Sequence, residues 1–189
     1  MPELPFPDPE LTDGVVSLRA WRASDHAQRF AGFSDPLCQR FSWGSNEPFT
    51  EQHQLIWAGG EEEAARRRGE AIGFAIVDAG DLDRVWGGAS LYDIAVAEGR
   101  AAVGYWLAGH ARGRGRATRT VRLLARWAFD GLAVARLELT CGPDNLASQQ
   151  VAERSGFTRE GLLRSHLPFK GGRRDSVLYS LLPTDSGSR

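Results

Sequence analysis

The pattern of apolar and polar positions along the chain predicts a strand-rich fold with four helices. Short apolar or alternating segments bounded by turn residues predict strands at 15–21, 71–78, 84–96, 101–107, 136–141, 157–167 and 175–182. Apolar positions at helical spacing predict helices at 24–34, 51–70, 117–131 and 147–155. Gly59-Gly60 is expected to kink the second helix, and residues 35–49 predict a loop or a broken helix.

This order of elements predicts an α+β fold built on a mixed, mostly antiparallel, twisted sheet flanked by helices. Three successive strands between residues 71 and 107 are joined by short turns, which is typical of an antiparallel meander. The later strand–loop–helix–strand unit indicates parallel pairing. We expect an extended, proline-punctuated lead at 1–13, a single domain at 14–183 and a flexible tail at 184–189.

Composition narrows the class of protein without defining its activity. The 189 residues carry a net charge of −1, so overall charge gives no support for non-specific nucleic-acid or anionic-membrane binding. Neither a signal peptide nor a membrane-spanning segment is predicted, and a cytoplasmic location is expected. Cys38 and Cys141 are far apart and lack metal-ligand spacing, which predicts no metal site and favours two free buried thiols over the alternative of a single disulfide.

The segment HARGRGRA at 110–117 alternates arginine with glycine between a predicted strand and a predicted helix. Glycines at 113 and 115 let backbone N–H groups approach an anion, and the helix start adds unpaired N–H groups and a positive dipole end. Residues 101–129 contain six arginines and no acidic residue. By itself the segment predicts either a phosphate cradle or an exposed basic loop, as equal alternatives.

Two nucleotide-binding motifs and a nucleic-acid site fit this segment poorly. It lacks the Lys-Ser/Thr ending of a P-loop, and its glycine spacing differs from that of a dinucleotide fingerprint. A nucleic-acid site would interleave aromatic residues with the basic ones. Trp127 and Phe129 instead occupy helix positions typical of a core.

Four motifs in order resemble the GNAT acetyltransferase superfamily, and within it the RimJ/RimL branch, whose named members acetylate protein N-termini. The first is the Q/R-x-x-G-x-G/A signature, matched by Arg112-Gly113-Arg114-Gly115-Arg116-Ala117. The others are Gly104-Tyr105-Trp106-Leu107, Asp144-Asn145-Leu146-Ala147-Ser148 and Glu153-Arg154-Ser155-Gly156-Phe157 followed by Glu160-Gly161. The resemblance covers residues 71–182 and implies a sheet splayed at an acetyl-CoA site.

The resemblance implies a binding residue set for acetyl-CoA as co-substrate. Backbone groups of Trp106 and Leu107 are expected to pair with the pantetheine arm as an added strand would. Main-chain N–H groups of Arg112, Gly113, Arg114, Gly115, Arg116 and Ala117 are expected to cradle the pyrophosphate. The arginine side chains are expected to reach the 3′-phosphate.

Two polar residues after the next strand complete this set. Asn145 is expected to bond the pantetheine through its amide, with an Asx turn or helix cap as the alternative. Ser148 is expected to hydrogen-bond or protonate the leaving thiolate, with a capping serine as the alternative.

The general base is not identified by the resemblance. Many relatives have a glutamate in the strand before Gly-Tyr-Trp, where this chain has Ala101-Ala102-Val103. Candidates here are Tyr92, Asp93, Glu47 and His166, and proton removal by water is the alternative. Four aromatic residues are expected in the core or in the acceptor groove, namely Phe33, Phe41, Trp43 and Phe49.

The resulting hypothesis is an acyltransferase that moves an acetyl group from acetyl-CoA to a primary amine by direct attack in a ternary complex. The amine belongs to a protein N-terminus or to a small molecule. Neither nucleic acid nor membrane is expected as a partner, and a homodimer is expected from its frequency in this branch. The alternatives are a non-catalytic acyl-CoA sensor, a transferase of another acyl group such as succinyl, and a nucleic-acid-binding module.

Overall fold

Residues 3–187, which a computed structural model describes, contain eight strands and six α-helices. In chain order the strands are β1 (Leu11–Thr12), β2 (Val16–Arg19), β3 (Ile72–Asp78), β4 (Asp81–Ala95), β5 (Arg100–Leu107), β6 (Arg136–Cys141), β7 (Thr158–Phe169) and β8 (Gly172–Leu181). The helices are α1 (His26–Phe33), α2 (Pro36–Phe41), α3 (Glu51–Ile56), α4 (Glu62–Arg67), α5 (Arg116–Leu132) and α6 (Leu146–Arg154).

Within residues 3–187, all eight strands belong to one sheet, in the spatial order β1-β2-β3-β4-β5-β6-β8-β7. Neighbouring strands pair antiparallel except β5 and β6, which run parallel. The predicted meander is confirmed as β3-β4-β5, and the parallel pair encloses α5, as a crossover connection requires. The predicted α+β class with a mixed, mostly antiparallel sheet is therefore confirmed.

The main core lies between one face of the sheet and helices α5 and α6. The apolar stripe predicted on α5 is buried, including Val121, Leu124, Ala125 and Ala128. These side chains pack against apolar residues that alternate along the central strands, among them Leu91, Val103, Leu139 and Tyr179. Successive residues of a strand point to opposite faces, so the residues between these core positions point to the other face of the sheet.

Helices α1 to α4 cover that other face through a cluster of aromatic rings. Phe33 contacts Phe49, Trp57 and Trp106, with ring centroids 4.8–5.5 Å apart. The predicted kink is confirmed at Gly60, whose φ of 136° is open to glycine but strained for other residues. A π-helical turn at Trp57–Glu61 joins α3 to α4, and α2 occupies part of the predicted loop at 35–49.

The N-terminal lead is held against the domain. Leu4 is buried and exchanges backbone and side-chain hydrogen bonds with Arg66, while Phe6 packs edge-on against Phe74. Strand β1 lies within the predicted lead and pairs with β2. At the other end, Pro183–Gly187 forms a 3₁₀ turn, and the remaining residues of the predicted lead and tail, 1–2 and 188–189, lie outside the described residues.

A buried ion pair links β2 to the start of α1. The guanidinium of Arg19 donates to both oxygens of Asp25 at 2.7 and 2.8 Å, and also to the carbonyl of Leu82. Only 1% of the Arg19 side chain and 3% of the Asp25 side chain are exposed. Burial by itself raises the pKa of Asp25, but hydrogen bonds from Arg19 and the Arg22 backbone outweigh it and lower that pKa.

Two further expectations concern the chain as a whole. Both cysteines are free and buried. Among the helices of residues 3–187, none has the length and apolar character needed to cross a membrane.

Candidate active site

The central opening of the molecule lies where the parallel strands β5 and β6 separate. Their pairing is confined, in the described chain, to Arg100–Ala102 opposite Arg136–Glu138. Beyond that point a cleft of about 560 Å³ lies between Val103–Trp106 of β5 and Leu139–Cys141 of β6. Backbone groups on this edge of β5 lack a strand partner, so they are available to an extended ligand arm.

Two glycines of β4 pack against Trp106, and one of them, Gly88, lines this cleft. A Cβ on Gly88 would lie 2.6 Å from Nε1 of Trp106 and 2.9 Å from Cζ2 of Trp21. At Gly87 it would overlap the carbonyl oxygen of Trp106. The Gly87-Gly88 pair therefore lets β5 approach β4 closely and lets the two indoles stack over the sheet, 6.4 Å apart.

The loop after β5 presents a run of unused backbone donors. Gly113 and Gly115 both have φ of 73°, and a Cβ on either would meet open space. Within residues 3–187, the N–H groups of Gly113 to Ala117 donate to no protein acceptor. Gly113 to Gly115 are exposed and lead directly into Arg116 and Ala117, the first residues of α5, so the positive end of the helix dipole adjoins this run of donors.

The arginine side chains of this loop have different surroundings. Arg112 pairs with Asp35 at 2.6 Å and donates to the carbonyl of Leu107, and its backbone N–H bonds Gly109. Arg116 is buried with its guanidinium 3.7 Å from the ring centroid of Trp86. Both side chains are therefore held by protein partners, and the expectation that the arginines reach the 3′-phosphate stays a prediction. Arg114 is exposed and makes no ion pair within residues 3–187.

A hydroxyl pair stands on the α6 side of the cleft. The hydroxyl of Tyr105 donates to Oγ of Ser148 at 3.2 Å. Burial raises the pKa of Tyr105 to about 12, so this hydroxyl keeps its proton at neutral pH. Asn145 caps α6 by accepting from the Ser148 N–H at 3.2 Å, which realises the capping alternative and leaves its amide N–H₂ as a donor.

The opposite end of the cleft contains residues that the sequence did not indicate. Glu61, Glu62 and Arg29 line it together with Trp21 and Trp57. Arg29 pairs with Glu62 and lies 4.4 Å from the ring centroid of Trp21. The run EEE–RRR predicts a solvated helix face, and that holds for Glu63, which pairs with Arg66 and Arg67. The sequence predicted a kink at Gly59-Gly60, but it did not indicate which of these glutamates would line the cleft.

The structure places the candidate bases in different surroundings. Tyr92 lines the cleft, but burial raises the pKa of its hydroxyl, which is therefore protonated at neutral pH. Asp93 and Glu47 are exposed, and neither they nor His166 are among the lining residues of the cleft. Of the four aromatic candidates, Phe33 and Phe41 line the cleft, while Trp43 and Phe49 pack in the aromatic cluster.

A family model described as "Acetyltransferase (GNAT) domain" matches residues 16–158, about three quarters of the chain. The chain belongs to the GNAT acetyltransferase family. The probable N-acetyltransferase YjcK of Bacillus subtilis is 33% identical over 126 residues, which are 66% of this chain and 69% of YjcK. This GNAT protein is therefore an acyltransferase of the N-acetyltransferase type, as the four motifs predicted.

Solved structures show the same fold. RimJ of Mycobacterium smegmatis, in complex with a CoA disulfide, is 25% identical to this acetyltransferase with a TM-score of 0.77, covering 93% of this chain and 85% of RimJ. An acetyltransferase from Salmonella typhimurium that modifies the N-terminal serine of ribosomal protein L7/L12 is 23% identical with a TM-score of 0.76, covering 91% and 96%. The predicted RimJ/RimL-like architecture is confirmed.

Proposed function

We propose that this acetyltransferase uses acetyl-CoA as donor and transfers the acetyl group directly to a primary amine in a ternary complex. The observation that carries the proposal is the β5–β6 opening flanked by the unused N–H groups of residues 113–117. The cleft is lined by residues from both faces of the sheet, including Ser148 on one side and Trp57 on the other. Donor and acceptor therefore have separate approaches to one reacting point.

The donor site is proposed from groups that lack a protein partner. The N–H groups of Gly113 to Ala117 would hold the pyrophosphate, and the edge of β5 that faces away from β4 would pair with the pantetheine. The Leu107 carbonyl already accepts from Arg112 at 2.9 Å, so the contribution of Leu107 is its N–H group. Asn145 offers its amide N–H₂ to the same arm. Arg114 is the side chain left for the outer phosphate.

Departure of the thiolate is assigned to Ser148 with Tyr105 behind it. When the amine attacks the thioester carbon, the C–S bond breaks and negative charge develops on sulfur. The Ser148 hydroxyl can donate to that sulfur because its oxygen accepts from Tyr105, an arrangement that orients the serine hydrogen away from the tyrosine. Proton transfer of this kind typically raises the rate of the catalysed step by roughly 10²–10⁴-fold.

The attacking amine must lose its proton at the other end of the cleft. An N-terminal amine has a pKa of about 8, so roughly a tenth of it is neutral at pH 7. The carboxylate of Glu61, which makes no ion pair within residues 3–187, can attract the ammonium form and receive its proton through water. We do not assign Tyr92 as this base, because burial raises the pKa of its hydroxyl.

A protein N-terminus is the acceptor class that we favour over a small-molecule amine. The Salmonella relative named above modifies a ribosomal protein N-terminus, and its fold covers nearly all of this chain. A ribosomal acceptor would also agree with a cytoplasmic location. The expected homodimer stays a prediction.

The direct test is turnover. With acetyl-CoA, the protein is expected to acetylate a peptide with a free N-terminus, and mass spectrometry should place the acetyl group on the α-amine. The same peptide with a blocked N-terminus and an internal lysine is the control. Acetyl-CoA binding without turnover of any peptide or small amine would support the sensor alternative instead.

Ser148→Ala is expected to lower kcat by about 10–100-fold while changing the KM for acetyl-CoA less than about twofold, because the lost hydrogen bond forms in the transition state. Tyr105→Phe should lower kcat by about 3–10-fold, since it removes only the orienting bond. Steady-state kinetics of both variants gives these values. Ser155→Ala, a serine at the far end of the same helix, is the matched control, and an equal kcat in Ser148→Ala and Ser155→Ala would contradict the assignment.

A further inference from the structure

One arginine that lines the cleft has no oppositely charged partner within residues 3–187. Two arginines of residues 3–187 line the cleft, Arg29 and Arg174. Arg29 is neutralised by Glu62. Arg174 makes no ion pair within residues 3–187, and the acid that acts on it most strongly, Asp144, is itself paired with Arg40 at 2.7 Å.

The Arg174 guanidinium is held in place but not saturated. Its Nη1 donates to the carbonyl of Phe41 at 2.9 Å, and its Cζ lies 4.0 Å from the ring centroid of Phe169. Its Nε is buried without a hydrogen-bond partner, and in the described chain its Nη2 takes part in no hydrogen bond. A half-buried cation with spare donors is costly unless an acceptor completes it. Burial accordingly lowers the pKa of Arg174, although the group stays charged.

The position of Arg174 limits what that acceptor can be. Val177 and Tyr179 point into the core beneath α5, so Arg174 lies on the opposite face of β8, the face that α2 covers. Its Cδ is 3.8 Å from where a Cβ on Gly142 would lie, directly after the end of β6. Arg174 therefore stands beside the opening where the amine attacks, on the acceptor side.

We infer that Arg174 binds a carbonyl or carboxylate oxygen of the acceptor, only a few bonds from the attacking amine. Such an oxygen is present in α-amino acids and at peptide N-termini and is absent from simple alkylamines and from a lysine ε-amine. A guanidinium recognises such an oxygen with charge-assisted hydrogen bonds. The inference rests on the proposed function and narrows its substrate class to α-amino carbonyl compounds.

The test compares three acceptors that share an amine on the same branched carbon. They are an alanyl peptide, free alanine and isopropylamine, used at equal concentrations of neutral amine with saturating acetyl-CoA. In the wild type, kcat/KM for the peptide or for alanine should exceed that for isopropylamine by at least about tenfold. A preference for the peptide assigns a protein N-terminus, and a preference for alanine assigns a free amino acid.

Arg174→Met should lower kcat/KM for the preferred acceptor by about 10–100-fold and leave isopropylamine and the KM for acetyl-CoA within about twofold. Arg173→Met is the matched control, since Arg173 is exposed and its hydrogen bonds within residues 3–187 go to Ser165 and His166. Arg174→Lys should recover part of the loss.

The results would distinguish failure of the inference about Arg174 from failure of the proposed function. Isopropylamine used as well as the carbonyl-bearing acceptors, or an equal loss for all three in Arg174→Met, would overturn the role of Arg174 while leaving N-acetyl transfer intact. The comparison of the three acceptors uses the wild type, so it does not depend on whether any variant folds. Absence of turnover for every amine would contradict the proposed function itself, and the inference with it.

Discussion

Replacing Gly115 with aspartate is expected to weaken acetyl-CoA binding by on the order of 100-fold or more. Gly115 precedes α5 directly, and a side chain there enters open space among the unused N–H groups. A carboxylate at this point would accept from those N–H groups itself and repel the incoming phosphates. Titration calorimetry with acetyl-CoA and CoA measures the loss.

Gly115→Asn is the matched control for this experiment. Asparagine and aspartate have similar size and both tolerate the left-handed conformation required by φ of 73°, so backbone strain should affect the two variants similarly. Asparagine adds no charge, and we expect it to weaken binding about tenfold or less. If Gly115→Asp binds acetyl-CoA within about threefold of the wild type, the loop is not the pyrophosphate site.

Removing Asp25 is expected to cost about 3–5 kcal/mol of the free energy of unfolding. Asp25→Ala would leave the guanidinium of Arg19 buried without its carboxylate, with only carbonyl acceptors at Leu82 and Ala20. For a domain of this size the midpoint of thermal unfolding should fall by roughly 10 °C. Thermal and denaturant unfolding followed by circular dichroism would measure both quantities.

A surface pair supplies the control for Asp25. Asp83 pairs with Arg22 at 2.9 Å, but its side chain is 86% exposed. Asp83→Ala should therefore change stability by less than about 1 kcal/mol, because water screens and replaces the interaction. Equal losses in the two variants would show that burial of the Arg19–Asp25 pair does not determine its contribution.

The buried Arg19–Asp25 pair also predicts that the stability of the fold depends on pH. The pKa of Asp25 is lower in the folded chain than its ordinary value, so the unfolded chain binds the proton more tightly. The contribution of Asp25 is complete above the unfolded pKa of about 4 and is lost as pH falls through the folded pKa. In Asp25→Ala, the decline of the unfolding midpoint below pH 4 should be shallower than in the wild type.

Local patterns were sufficient for the elements of the fold and for the donor side of the site. The stripe on α5 and the alternation along β6 are periodic over a whole element, so they are visible without knowledge of neighbours. The segment at 112–117 acts mainly through backbone N–H groups, whose exposure follows from glycines at fixed spacing. Lengths of the short helices α2 and α4 were less predictable, because their ends depend on caps and on packing.

The acceptor side could not be predicted in this way, since it is assembled from distant parts of the chain. Glu62 approaches Arg29 across 33 positions, and Arg174 meets Phe41 across 133. Nothing in the run EEE–RRR distinguishes Glu62 from Glu63, yet one lines the cleft and the other pairs on the surface. That distinction arises from the turn at Gly60 and from which face of the sheet the helix covers.

The sequence by itself therefore determined the fold class, the family and the run of backbone donors in HARGRGRA, because these depend on periodicity, spacing and glycine. Tertiary structure decided the use of each side chain. It directed Arg112 to Asp35 and Arg116 onto Trp86, and it left Arg174 without an acid. The sequence shows which residues are charged. The role of each charged side chain depends on which partner the fold brings within a few ångströms and on how much water remains around it.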